Sequence, residues 1–330
     1  MENFSSLALK IENGQIYLLD QQLLHHKEEW INCTKCEDMI FAIKHLKVRG
    51  APLIGIAAAF LLEKLKEQGV SEKELEESAK KLRQSRPTAV NLMNAIDRVM
   101  KDGISAYDLA QEDIDLCLRM GKHGAELIED GDNIVTHCNT GGLATVGRGT
   151  ALGVIQTAWE QGKKLHVYVD ETRPLLQGGR LTTWELQKLG IPYTLICDNM
   201  AATLMKEGKV QKVFVGADRI ALNGDFANKI GTYGLSILCQ YHNVPFYTVA
   251  PFTTIDKECL KGEDIEIEQR DPKEVQGVNG SFGQIQWSPD SNVYNPAFDV
   301  SPAKNLTGIV FDFGVLSKQQ LLNDEIKSFL

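Results

Sequence analysis

No apolar run in this 330-residue sequence reaches the length that spans a bilayer, so a membrane-crossing helix is not expected. The opening residues MENFSSLALK lack a basic stretch followed by an apolar one. A secretory leader is therefore not expected, and the cytoplasm is the expected compartment. Positive charge is not in excess: 35 Lys and Arg against 44 Asp and Glu give a net charge of −9. That balance argues against non-specific binding to nucleic acid or an anionic membrane, though not against a local basic pocket for a small anion. Cysteines are few, odd in number and scattered: seven in all, with Cys197 and Cys239 inside apolar runs. The pattern predicts reduced, core-packed thiols rather than a disulfide framework. Cys33-Thr34-Lys35-Cys36 has no second CxxC and no suitably spaced histidine pair, so neither zinc nor redox chemistry is expected of it. Internal repeats, low-complexity tracts and a GxGxxG fingerprint are all missing, and the last of these argues against a dinucleotide cofactor.

What is present is a set of six short apolar runs, each ending on a polar or acidic residue. They are IVTHC (134–138), VYVDE (167–171), TLICD (194–198), VFVGAD (213–218), FYTVAP (246–251) and GIVFD (308–312). Most are separated by stretches long enough for a helix. Continuous apolar strands with helical crossovers predict a parallel, Rossmann-like α/β sheet. Ligands of such sheets lie beyond the carboxyl ends of the strands. The candidate site residues on this ground are Cys138, Asp170, Glu171, Asp198 and Asp218.

The preceding part of the chain reads differently. Asn13-Gly14 predicts a small hairpin within the first 30 residues. From about 36 to 129 the apolar spacing is three and four, which predicts helices, with Ser71 and Glu74 forming a capping box. A polar turn at Glu129-Asp130-Gly131-Asp132 predicts a mostly helical domain over 1–129 and an α/β domain over 130–330. Residues 261–292 are polar and glycine-rich and predict a long surface loop or arm.

Several segments carry chemistry. Cys138-Asn139-Thr140-Gly141-Gly142 predicts a strand-to-helix loop leading into a helix over LATVGRGTALGVI, a setting that lowers a thiol's pKa. The alternative is a small apolar filler at a strand end. Residues 170–180 crowd two acids, two arginines, Gln177 and two glycines into one turn, either touching ligand or shaping the site from behind. Asp218 lies within reach of the Cys138 crevice if their strands are neighbours; otherwise it caps a turn. Asn228 and Lys229 are expected to open a helix, combining a cation with free N–H donors. Arg49-Gly50-Ala51 and Arg86 place arginines beside helix starts, where the dipole disfavours a cation; a bound phosphate would explain them, and ordinary surface arginines are the alternative. Asp299 either closes the site or caps.

Long segments are spread over most of the chain, among them KVRGAPLIGIAAAF (47–60), THCNTGGLAT (136–145), DETRPLLQGGRLTTWEL (170–186) and VGADRIALNGDFANKIGTYGL (215–235). Together they resemble the methylthioribose-1-phosphate isomerase family, relatives of the α, β and δ subunits of initiation factor 2B. The resemblance implies an aldose–ketose isomerase acting on a pentose 1-phosphate, usually a homodimer, without metal or nucleotide. It implies Cys138 and Asp218 as the catalytic pair. Arg49, Gly50, Ala51, Arg86, Gln177, Asn228 and Lys229 match the family's substrate-binding positions. Arg148 and the stretch FDFGV (311–315) depart from the family pattern. These departures leave open a 5-deoxyribose-1-phosphate isomerase of the same chemistry. A non-catalytic regulatory subunit is the reading from a different class.

Overall fold

The computed structural model describes residues 1–86, 89–280 and 283–329. The chain forms two compact units, residues 1–116 with 142–149, and residues 117–141 with 150–330. In the first unit, β1 (Phe4–Ser5), β2 (Leu9–Glu12), β3 (Gln15–Leu19) and β4 (Trp30–Asn32) form one antiparallel sheet, larger than the expected hairpin. Its β2–β3 turn is Asn13-Gly14, both at positive φ (51° and 70°), as a two-residue primed turn requires. Helices α1 (Cys36–Lys44), α2 (Ala51–Glu67), α3 (Glu72–Ser85), α4 (Val90–Met100) and α5 (Ala106–Ala125) follow, and the division between the units falls inside α5. The Ser71–Glu74 capping box at the start of α3 is present in both directions.

The second unit contains β5 (Asp132–Thr136), α6 (Ala151–Glu160), β6 (Leu165–Asp170), α7 (Thr183–Leu189), β7 (Tyr193–Ile196), α8 (Ala201–Lys206) and β8 (Lys212–Val215). After them come β9 (Arg219–Ile220), β10 (Phe226–Lys229), α9 (Thr232–His242), β11 (Phe246–Val249), α10 (Lys273–Gln276), β12 (Gly277–Gly280) and β13 (Gly283–Gln286). The chain closes with β14 (Phe298–Ser301), β15 (Gly308–Phe311), β16 (Gly314–Ser317) and α11 (Lys318–Leu322). All six apolar runs are strands of a single seven-stranded sheet, ordered β16-β15-β11-β8-β5-β6-β7. Only β16 runs antiparallel, at the edge. Val135, Val213, Val215, Phe246, Ile309 and Phe311 are buried in its core, which is why these strands show no polar alternation. The glycine-rich arm forms the hairpin β12–β13, with β13 exposed along its length. Among the described residues no helix is long and apolar enough to cross a membrane.

The helix expected over residues 143–155 is half absent: only α6, from Ala151, is helical, and residues 142–149 are an irregular loop of the first unit. Gly147 and Gly149 (φ 91°) disfavour helix there. The backbone amides of Val146 and Gly147 instead donate to Asp113 Oδ2, at 2.8 and 3.2 Å. Burial pushes the Asp113 carboxyl up to about 6, against those two hydrogen bonds and helped by Glu112. A carboxyl with a raised folded pKa contributes stability that is complete below its unfolded pKa and is lost as pH rises through about 6. The displacement corresponds to about 3 kcal/mol. Asp113→Asn offers both amides an uncharged oxygen. The variant is expected to be more stable than the parent at pH 8 by up to about 3 kcal/mol, with the advantage vanishing near pH 4. Denaturant unfolding across pH checks this, and a difference independent of pH would refute it.

Candidate active site

The sheet order fixes where a ligand of the second unit belongs. From β5 the chain moves outward through β6 to β7, then returns to the other side of β5 for β8, β11 and β15. The reversal lies between β5 and β8, which pair in parallel with Thr136 opposite Phe214. The carboxyl ends of strands at such a reversal form the binding crevice of open α/β sheets. Cys138 follows β5 by two residues and Asp218 follows β8 by three, so the neighbouring strands bring them to the same end of the sheet.

Cys138 is buried and held at φ 66°, a left-handed conformation that costs a non-glycine residue about 1–3 kcal/mol. Side-chain hydroxyls hold it there. Its amide donates to Thr172 Oγ1 at 2.8 Å, and its carbonyl accepts from Thr182 Oγ1 at 2.6 Å. Thr172 is itself left-handed (φ 66°) and is fixed by Asp198, which accepts from the amides of Thr172 (2.6 Å) and Arg173 (2.7 Å). Asp198, beyond the end of β7, thus shapes the Cys138 loop from behind. The Arg173 guanidinium donates to the backbone carbonyls of Pro174, Glu274, Val275 and Gly277, which ties the arm to this loop. Asp218 is exposed, and its amide donates to the Ala227 carbonyl at 2.8 Å.

Gln177 precedes a π-helical turn, Gly178–Thr182, that runs into α7. Its side chain is buried, and its carbonyl Oε1 has no hydrogen-bond partner among the described residues. A buried acceptor left unpaired costs about 1–3 kcal/mol, so a donor from a ligand is the natural partner. A Cβ on Gly178 would lie 1.8 Å from the Asp170 carbonyl oxygen, so only glycine fits this close approach.

Asn228 and Lys229 do not open a helix. They end β10, which pairs with both β9 and β14, and α9 begins at Thr232 after Gly231 (φ 105°). Pairing with β14, Asn228 opposite Asp299 and Lys229 opposite Phe298, outweighs the helical pattern that follows. Asn228 Nδ2 donates to Thr232 Oγ1 at 3.0 Å. Lys229 Nζ donates to the Ala297 carbonyl at 2.9 Å and lies 4.5 Å from the centre of the Phe298 ring. Asp299 caps α9, accepting from the amides of Gly231 (2.7 Å) and Tyr233 (2.9 Å). Burial raises its pKa against those bonds.

In the first unit, Gly50 (φ 102°) is the N-cap of α2, Ala51 begins the helix and Arg49 precedes them, as expected. Arg86 is different. It ends α3 and stands four residues before α4, so a cation there suits the helix dipole and needs no anion to explain it. Pro87 and Thr88 lie outside the described residues. Cys33 and Cys36 are free thiols, and burial pushes Cys33 up to about 12, the reverse of a reactive thiol.

His137, Asp170 and Asp198 present donor atoms within 4.8 Å of one another. The set does not suit a metal. His137 uses Nδ1 on Asp170 Oδ2 and Nε2 on the Ile230 carbonyl, both at 2.9 Å, and both Asp198 oxygens accept backbone amides. His137, Thr172 and Thr182 were not apparent as site residues in the sequence. Threonines at strand and helix ends are too common to single out, and the only cue for His137 is its place before Cys138.

A profile of the initiation factor 2 subunit family matches residues 47–318. Methylthioribose-1-phosphate isomerase of Serratia proteamaculans is 54% identical, covering 97% of this chain and 97% of its own. That of Yersinia pestis is 53% identical, with 97% and 95% covered. Among solved structures, 5-methylthioribose 1-phosphate isomerase from Pyrococcus horikoshii superposes with a TM-score of 0.89 at 42% identity, covering 98% of this chain and 95% of that one. A structure described as the delta subunit of translation initiation factor 2B, from A. fulgidus, gives 0.85 at 41%, covering 98% and 100%.

Proposed function

From the premise that the chain belongs to the initiation factor 2 subunit family, we propose that it is an aldose–ketose isomerase converting 5-methylthioribose 1-phosphate to 5-methylthioribulose 1-phosphate, a step of methionine salvage. The observation that carries the assignment of roles is the pairing of β5 with β8, with Cys138 and Asp218 beyond their ends at the sheet's reversal point. An aldose with phosphate on its anomeric oxygen does not open to a free aldehyde by itself. The enzyme must help break the ring C–O bond and move a hydrogen from C2 to C1. Asp218, exposed at its strand end, acts as acid and base on the ring or hydroxyl oxygens. Cys138 shuttles the C2 proton or stabilises the charge that forms. Gln177 accepts from a sugar hydroxyl, and Asn228 and Lys229 bind substrate. Arg49 and Arg86, with the backbone at Gly50 and Ala51, are phosphate ligands. The same reading carries a homodimer in the cytoplasm.

The similarity to the delta-subunit structure favours one second reading, a regulatory subunit without turnover. A panel of pentose 1-phosphates, followed by NMR for ketose product, separates the two. Methylthioribose 1-phosphate and 5-deoxyribose 1-phosphate are expected to turn over within about a hundredfold of each other in kcat/KM, because a small apolar difference discriminates little more. Ribose 1,5-bisphosphate is expected to be poor, since a second phosphate would place a charge where the neutral substrates carry an apolar group. A preference for the bisphosphate would overturn the substrate, and no turnover of any compound by folded protein would favour the regulatory subunit.

A further inference from the structure

His137 takes no part in the chemistry above, yet it is fully buried directly before Cys138. Its Nε2 faces the Ile230 carbonyl oxygen and its Nδ1 faces Asp170 Oδ2. A carbonyl oxygen only accepts, so Nε2 carries a proton whenever that bond is made. A neutral ring then has a lone pair at Nδ1, and an ionised Asp170 has another at Oδ2. Two lone pairs cannot face each other at 2.9 Å. One further proton must lie between them, giving either imidazolium with carboxylate or neutral imidazole with carboxylic acid. The remaining oxygen, Asp170 Oδ1, is buried with no hydrogen-bond partner among the described residues, which penalises a full carboxylate charge.

The surroundings keep that proton in place. Burial disfavours the His137 cation, but the Asp170 hydrogen bond and charge, then Asp198 and the Ile230 carbonyl, outweigh it and raise the histidine's pKa. Burial raises that of Asp170, against His137 and with Asp198 and Glu171. Among the described residues, Asp299 on β14 also faces His137, with Lys229 on β10 beside Asp299, and the Cys239 thiol on α9 faces Asp170.

The ring also joins three segments. It sits at the end of β5 beside Cys138, bonds the end of β6, and bonds the turn that follows Asn228 and Lys229. The turn packs directly on it: a Cβ at Gly231 would lie 2.9 Å from the ring Cε1 and 3.0 Å from Nε2. We propose that His137 and Asp170 are a proton-sharing pair of positioning residues for the isomerisation, holding the backbone of Cys138 in register with that of the Asn228–Ile230 turn. The role rests on the assignment of Cys138, Asn228 and Lys229 to the active site; the shared proton does not.

Two measurements on the full chain test it. The first is ¹⁵N NMR of the histidine rings, with His137 among seven assigned by comparison with His137→Gln. Nε2 is expected to stay protonated across about pH 6 to 9, with Nδ1 hydrogen-bonded. A ring that titrates like a free histidine overturns the pair. The second is kinetics of Asp170→Asn and Asp170→Ala. An asparagine amide donates to neutral Nδ1 and replaces the shared proton, whereas alanine removes it. Asp170→Asn is expected to keep kcat within about threefold of the parent, and Asp170→Ala to lose about tenfold to a hundredfold in kcat with less than about threefold change in KM. Equal kcat in the two variants, high or low, overturns the positioning role. If Asp170→Ala does not fold, a kcat in Asp170→Asn as low as about a hundredth of the parent's overturns it alone. Cys138→Ser run in parallel separates the failures: full activity there sinks the site assignment and leaves the NMR result on the pair standing.

Discussion

Cys138→Ser and Asp218→Asn are each expected to lower kcat by roughly 10²–10⁴ while leaving the fold intact, the loss typical of a positioned acid or base. The structure explains why activity and stability should separate. The hydrogen bonds that hold the Cys138 loop, from Thr182 and to Thr172, involve its main-chain atoms, so they survive replacement of sulfur by oxygen. Asp218 is exposed, and its amide donates to the Ala227 carbonyl, a backbone bond that an isosteric side-chain amide leaves unchanged. If both groups serve the same proton-transfer step, the double variant should lose little beyond the worse single one, because residues acting as a unit are not additive. Product formation by NMR and thermal unfolding are the paired measurements. Near-normal kcat in either variant would remove that residue from the chemistry, and a large fall in melting temperature would mean that the kinetic loss reports folding.

The sheet was legible because burial on both faces leaves a simple mark, an apolar run ended by a polar residue. All six runs proved to be strands, and two of the residues beyond their ends, Cys138 after β5 and Asp218 after β8, lie where the strand order reverses. The order itself was not legible, since nothing in a strand's composition says which neighbour it pairs with. Local pattern failed where a tertiary partner intervened. Asp113 takes the amides of Val146 and Gly147 and replaces a helix with a loop, and pairing with β14 turns Asn228 and Lys229 into a strand end. The same limit hid His137, whose importance comes from what faces each ring nitrogen. Asp170 is 33 residues away in sequence and Ile230 is 93.

Gly50→Ala is expected to destabilise the protein by about 2–6 kcal/mol, whatever it does to substrate binding. The family resemblance assigns Gly50 to the substrate, but the fold gives it two reasons of its own. Its φ of 102° lies where a side chain is strained, at about 1–3 kcal/mol. A Cβ there would also lie 2.4 Å from both the Cα and the carbonyl oxygen of Ala144, which are backbone atoms and cannot swing aside. That carbonyl accepts from the Leu53 amide in the first turn of α2, so moving it away would break a bond that helps start the helix. Strain and overpacking, each worth about 1–3 kcal/mol, therefore act together. Denaturant unfolding of Gly50→Ala against the parent measures the effect. A variant of unchanged stability with only a raised KM would show that the glycine is there for the ligand, and that the loop carrying Ala144 yields more easily than its close packing implies.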